Sequence, residues 1–124
     1  MRTLIALTLL ASIAGCTRWS ADQHLNSAYR AYDEGNCQKV VLELSQVDRK
    51  TVSRPSIRPE SALLRGQCLE RQNLFVDAAQ TYQWIMFQFP GSEYAFRARA
   101  RLQTLEQAGH YPPRGEAIPR PAAL

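Results

Sequence analysis

The feature that most constrains the fold is an internal repeat whose unit is a helical hairpin. Two copies are related by a shift of 38 residues, which aligns Gly35, at the turn inside the first hairpin, with Asn73 in the second. A repeat of this length cannot bury its apolar faces alone, so neighbouring copies must stack. No segment alternates in the manner of a strand, and the sequence therefore predicts an all-α chain. The other aligned positions are Ala28, Ala31, Cys37, Val40, Leu44 and Val47 in the first copy and Gly66, Leu69, Phe75, Ala78, Tyr82 and Ile85 in the second.

Start and stop signals divide the chain into five predicted helices. Ser20 or Asp22 can cap the first helix, Pro59 suits the first turn of the third, and Ser92 can cap the fifth. The clearest apolar stripe, at spacings of three and four residues, begins at Phe75 and ends before Pro90. We expect helices at about 20–34, 37–50, 59–72, 75–89 and 92–107.

The second copy resembles a tetratricopeptide repeat. Its Gly66-x2-Leu69, followed by Phe75-x2-Ala78-x3-Tyr82-x2-Ile85-x4-Pro90, follows the alternation of small and large residues in that family. The resemblance implies a short α-solenoid over residues 21–107, with two helical hairpins and a C-terminal capping helix. The family's usual period is shorter by four residues, which we place in the loop Thr51–Arg58.

The first copy departs from the pattern, with Cys37 where an aromatic residue is usual and Val40 where a small one is usual. The second copy has Ala62 in place of the leading Trp. Two repeats and a cap are also fewer than the three or so that a stable stack needs. A generic helical bundle is the alternative.

The amino terminus reads as a secretory signal. Met1-Arg2 precedes an uncharged run that ends at Ile13, too short for a membrane-spanning helix. Ile13-Ala14-Gly15-Cys16 resembles the lipobox of bacterial lipoproteins. The resemblance implies that residues 1–15 are removed, that Cys16 is acylated, and that residues 16–20 form a tether. The alternative is ordinary cleavage after Ala14, which would give a soluble periplasmic protein.

The predicted location depends on the residue after Cys16. In this class an Asp there marks retention at the inner membrane, and this chain has Thr17. The resemblance therefore implies the outer membrane, facing the periplasm, with inner-membrane anchoring as the alternative.

Export also bears on the two remaining cysteines, Cys37 and Cys68. In an oxidising compartment two thiols in a small domain usually pair, and no C-x-x-C redox motif is present. In the resembling fold the start of one repeat's second helix lies near the end of the next repeat's first helix. A Cys37–Cys68 disulfide would therefore join the two repeats.

The sequence offers no catalytic constellation, and we expect no enzymatic activity and no cofactor. His24 and His110 are far apart, no glycine-rich phosphate loop occurs, and no metal site is supported. The net charge of +4 comes without a Lys/Arg run, which argues against nucleic acid as a partner.

The resemblance implies a groove lined by the first helix of each hairpin. Tyr29 and Tyr32 would be aromatic anchors there, unless they pack within the first hairpin. A second candidate surface is Trp84 with Phe87, unless the capping helix or the tail covers them. Arg97 and Arg101 could meet lipid phosphate or an acidic partner, or form a solvated face. The predicted partner-binding residues are Tyr29, Tyr32, Leu63, Gln67, Arg71, Trp84, Phe87, Arg97 and Arg101.

Residues 108–124 are rich in proline and are expected to be a disordered tail. Together these features predict a lipid-anchored envelope protein that acts as a protein–protein adaptor or assembly scaffold. One alternative is a regulatory lipoprotein that modulates an envelope sensor or a peptidoglycan enzyme. Another is an oligomeric structural component of a secretion or pilus machine. The sequence specifies neither the partner nor the oligomeric state.

Overall fold

The computed structural model describes the backbone of residues 2–112 and the side chains of residues 18–112. Within that part of the chain the fold is helical throughout and contains no strand, which confirms the all-α class. A short 3-10 turn, Pro55–Ile57, lies in the connection between the second and third helices. The helices are α1 (Arg2–Asp33), α2 (Cys37–Lys50), α3 (Arg58–Arg71), α4 (Phe75–Gln88) and α5 (Glu93–Gln107).

The helices pair as hairpins, α1 with α2 and α3 with α4, and α5 packs on α4. Side-chain caps mark the starts of α2 and α5, since the side chains of Asn36 and Ser92 accept hydrogen bonds from backbone N–H groups at 3.0 and 3.1 Å. The first helices of the hairpins also meet, because α1 contacts α3 and α3 contacts α5. Each hairpin is therefore held to the next through more than one helix.

Three helices end in the same left-handed turn. Gly35, Asn73 and Gly109 have φ values of 76°, 60° and 74°. After each of them, the next backbone N–H reaches back five residues to a carbonyl, at 2.8 Å after α1, 2.9 Å after α3 and 2.9 Å after α5. The turn after α5 thus has the same geometry as the turns after α1 and α3. In those two places the turn leads into the second helix of a hairpin.

The core has two clusters. Leu44, Leu64 and Cys68 lie in the cluster between the first hairpin and α3. Tyr82 and Ile85 lie in the cluster formed by α3, α4 and α5. Gly66 allows the second cluster to close, because a Cβ atom there would lie 2.5 Å from Cε1 of Tyr82.

A disulfide bridge joins the hairpins. The Sγ atoms of Cys37 and Cys68 lie at bonding distance, and the Cα atoms are 5.5 Å apart. Cys37 opens α2 and Cys68 lies in the last turn of α3. The pair occupies the position that the repeat resemblance implies.

The first helix differs from the expected one at its start. Residues 16–20, expected to be a tether, continue α1, and no cap forms at Ser20 or Asp22. No helix breaker stands between Cys16 and Asp22, and Ala21 is buried against the domain, so the helix continues. The side chain of Cys16 lies outside the described part of the structure. No helix among the described residues is long and apolar enough to span a bilayer.

The carboxyl-terminal segment is packed further than expected. Tyr111 is buried in the second core cluster, and its hydroxyl accepts a hydrogen bond from Gln83 at 3.1 Å. The ring of His110 stacks on Phe75 with centroids 3.9 Å apart. The domain therefore extends to residue 112, and residues 113–124 of the expected tail lie outside the described residues.

Candidate partner-binding surfaces

The face shared by α1, α3 and α5, called the inner face below, carries tyrosines that bond to carboxylates. The hydroxyl of Tyr29 on α1 donates a hydrogen bond to Glu60 on α3 at 2.8 Å. Burial, followed by this hydrogen bond, raises the pKa of Tyr29 well above its ordinary value. Burial also raises the pKa of Tyr94 on α5 to about 12, with Glu60 contributing. One carboxylate thus interacts with tyrosines of two neighbouring helices.

Glu70 on α3 is a second carboxylate that bonds to side chains of neighbouring helices. It accepts hydrogen bonds from the hydroxyl of Tyr82 on α4 and from Nε of Arg101 on α5, the latter at 3.0 Å. The Glu70 side chain is 10% exposed and that of Arg101 42%, so the carboxylate is shielded from water while the guanidinium remains partly exposed. Arg101, predicted as a free cation for a partner, therefore holds α5 to α3.

The remaining predicted residues of the inner face differ in how exposed they are and in what they contact. Leu63 is only 2% exposed and packs in the core, so it offers no surface to a partner; this corrects the prediction. Arg71 lies 3.5 Å above the ring of Tyr32 and donates to its backbone carbonyl, which links α3 to α1. Gln67 is half-buried, and Arg97 is exposed. The carboxylates Glu60 and Glu70 and the cations Arg71 and Arg101 are therefore already bonded to neighbouring helices.

An open cleft of about 620 Å³, the Trp84 cleft, lies on a different part of the molecule. Its walls come from the end of α2, the connection after it, the first half of α3 and the outer side of α4. Trp84 is partly exposed in one wall, with the ring of Phe89 edge-on to it at 5.5 Å. The guanidinium of Arg58 lies 5.9 Å from the centre of its ring. The volume is in the range of ligand-binding clefts.

The polar wall of the cleft is fixed by an ion pair. Arg65 donates to Asp48 at 2.8 Å, and the buried hydroxyl of Ser61 donates to the same carboxylate at 3.0 Å. These bonds connect α2 with α3 and leave the two charged groups partly exposed. The cleft therefore combines an aromatic ring that is packed against its neighbours with an ion pair of fixed geometry. This combination suits a peptide segment that bears both an apolar and a charged side chain.

Trp84 and Phe87, predicted as one contact surface, lie in different surroundings. Trp84 lines the cleft, whereas Phe87 in the last turn of α4 is 81% exposed and does not line it. Sequence reasoning missed Asp48, Ser61 and Arg65 as members of a site. A signal was present, since the connection in which the sequence analysis places four extra residues forms one rim of the cleft.

Comparison with known proteins identifies no relative. No protein family, no curated protein and no solved structure matches the chain. Among the described residues no cluster of His, Cys, Asp and Glu could hold a metal ion. The function is therefore inferred from the chain's own sequence and geometry.

Proposed function

We propose that this chain is a lipid-anchored envelope protein built on a short tetratricopeptide-like stack, and that it acts as an adaptor that binds a partner segment in the Trp84 cleft. The signal-like start and Ile13-Ala14-Gly15-Cys16 support the anchor, which is acylation of Cys16. Acyl chains provide the membrane association, at about 0.8 kcal/mol for each buried methylene group. The outer membrane, facing the periplasm, is the proposed location.

The helix contacts support the stack. α1, α3 and α5 contact one another in sequence, while α2 and α4 each return against the first helix of their own hairpin. Three equivalent left-handed turns give the repeat a consistent geometry. In such a fold each hairpin buries a face of its neighbour and leaves clefts between successive units.

The single observation that supports partner binding best is the open Trp84 cleft between the hairpins. Tryptophan and arginine are the residues that most often dominate binding energy at interfaces. Here Trp84 keeps an exposed fraction of 38% while Phe89 and Arg58 hold its ring. The inner face is the weaker candidate because its tyrosines and Glu70 already bond to their neighbours.

Site-specific photo-cross-linking in intact envelopes tests this proposal. With p-benzoylphenylalanine at Gln80, which lines the cleft, the full chain should give a discrete adduct. Trp84→Ala should abolish it, since truncation of a hot-spot tryptophan costs about 2 kcal/mol or more, roughly thirtyfold in affinity. Circular dichroism of the Trp84→Ala protein checks that it remains folded.

Two further positions give the controls. The probe at Lys39, exposed at the start of α2, should give no adduct. An adduct from Arg97 but not from Gln80 would move the binding site to the inner face and overturn the cleft. An adduct of twice the chain's mass would favour the oligomeric structural component. If no position gave an adduct above the Lys39 background, the adaptor function would be wrong.

A further inference from the structure

Large exposed apolar side chains gather at one end of the helical stack, called the basal edge. This edge comprises the start of the domain at residues 18–22, the last turns of α2 and α4, the connection 51–57, and the first turns of α3 and α5. Antiparallel packing brings these termini together, as the hydrogen bond from Lys50 to Ser20 at 2.6 Å shows. The exposed side chains there are Trp19 (68%), Val52 (82%), Phe87 (81%) and Phe96 (74%).

Three of these four side chains are aromatic, and their exposure requires an explanation. Solvent-exposed aromatic residues grouped at one edge are unfavourable in water and mark a contact surface. At the opposite end, the distal edge, the exposed apolar residues include Leu74 and Val76, which are aliphatic and each 43% exposed. The strongly exposed rings therefore belong to the basal edge.

The charges of the two edges differ in sign. In the described residues, the basal edge carries five basic and four acidic side chains, whereas the distal edge carries three basic and five acidic ones. The basal groups are Arg18, Arg49, Lys50, Arg54 and Arg58 against Asp22, Asp48, Glu60 and Glu93. The distal groups are Arg30, Lys39 and Arg71 against Asp33, Glu34, Glu70, Asp77 and Glu106.

The position of Cys16 connects this edge with a lipid surface. Cys16 precedes Trp19 by three residues in a continuous helix, which is about 4.5 Å along the axis. An acylated Cys16 would bring the basal edge within reach of the lipid headgroups. Aromatic rings favour that interface, and Lys and Arg side chains are attracted to an anionic surface.

We propose that the basal edge docks on an anionic phospholipid surface, with Phe87 and Phe96 inserted at the headgroup boundary. This inference rests on the proposed lipid anchor and adds a second contact to it. A single anchored residue would leave the domain free to reorient, whereas an edge with several rings and positive charge fixes its orientation. The distal edge then remains available to a partner, as does the part of the Trp84 cleft lined by Asp77, Gln80 and Thr81, whereas Val52 and Arg58 of the cleft belong to the basal edge.

Fluorescence quenching in vesicles tests the proposal with the full lipidated chain. In a background of Trp19→Phe and Trp84→Phe, the variant Phe96→Trp reports on the basal edge. The matched control is Leu74→Trp, separated from the basal edge by the 14 residues of α4, about 20 Å. An interfacial ring sits roughly 5–10 Å deep, so lipids brominated in their acyl chains should quench Phe96→Trp about twofold and leave Leu74→Trp unchanged.

The vesicles contain phosphatidylethanolamine and phosphatidylglycerol, and intact mass spectrometry establishes whether Cys16 is acylated. Acylated protein in which Phe96→Trp is no more quenched than Leu74→Trp would overturn the membrane contact and leave the anchor intact. Protein without acyl chains would overturn the anchor, and the membrane contact with it. Emission that shifts to the blue in whole envelopes, without quenching in protein-free vesicles, would assign the edge to a protein partner instead.

Discussion

Gly66 lies where α3 crosses α4, and its missing side chain leaves room for the ring of Tyr82. That ring is fully buried, and its hydroxyl is bonded to Glu70, so it cannot move aside without breaking a buried hydrogen bond. The small-and-large alternation seen in the sequence is thus realised as one close contact between two helices. The Gly66–Tyr82 contact also determines how closely α3 and α4 approach each other in the second hairpin.

Gly66→Ala should therefore destabilise the fold. The added Cβ atom would lie 2.5 Å from Cε1 of Tyr82, and overpacking of this kind costs about 1–3 kcal/mol. Chemical denaturation with guanidinium chloride measures the loss. The matched control is Gly91→Ala, where nothing lies within 4 Å of the new Cβ atom and stability should hardly change. Equal effects at the two glycines would contradict the close-contact explanation.

At the scale of the elements, the disulfide joins the start of α2 to the last turn of α3. The pairing could be anticipated from the predicted export and the repeat resemblance, whereas the contact geometry required the helices to be placed. A stack with few repeats has little interface to hold it together, and a covalent link between hairpins offsets that shortage.

Removal of the bridge should lower the free energy of unfolding by about 3–4 kcal/mol. This figure follows from the loop that the bond closes, with a sequence separation of 31 residues. The variant to measure is Cys37→Ala/Cys68→Ala, since alanine suits the buried surroundings of Cys68 better than serine would. Reduced wild-type protein should unfold at the same denaturant concentration as the variant. Identical midpoints for oxidised wild type and variant would contradict a stabilising role.

At the scale of the whole molecule, tyrosine–carboxylate contacts join helices within one hairpin and between the two hairpins. Tyr29 and Glu60 join α1 to α3, and Tyr82 and Glu70 join α4 to α3. Burial is the main cause of the raised pKa of both tyrosines, and the carboxylates add to it. The neutral hydroxyl is therefore a structural donor throughout the stack.

These contacts predict alkaline destabilisation. In the unfolded chain the tyrosines lose their protons near the ordinary pKa of 10.0, whereas Tyr94 in the folded protein has a pKa of about 12 and Tyr29 a higher one. Their contribution is fully present below pH 10 and is lost as the pH rises through the folded values, because the unfolded state then binds fewer protons.

Denaturation midpoints measured from about pH 9 to pH 12 test this prediction. Tyr29→Phe and Tyr94→Phe should each make the alkaline decline shallower, because each removes one titrating group. A wild-type midpoint that stayed constant across that range would contradict the role of the tyrosines.

The sequence by itself determined the helical class and the approximate helix limits from α2 onward. These follow from local signals, namely the apolar spacing from Phe75, the cap before Glu93, and the residues that accept a positive φ. Such signals depend on a few neighbouring residues, so they can be read without the fold. The start of α1 was missed because no local signal marks a boundary within a continuous helix.

Only the tertiary structure decided which side chains are free for a partner. Leu63 and Arg101 share a helix face with exposed residues, yet one packs in the core and the other bonds to Glu70. The Trp84 cleft exists because the connection after α2 stands beside α3 and α4, which the sequence does not place together. Exposure and pairing depend on what neighbouring helices bring to a surface, and that is a property of packing, not of spacing along the chain.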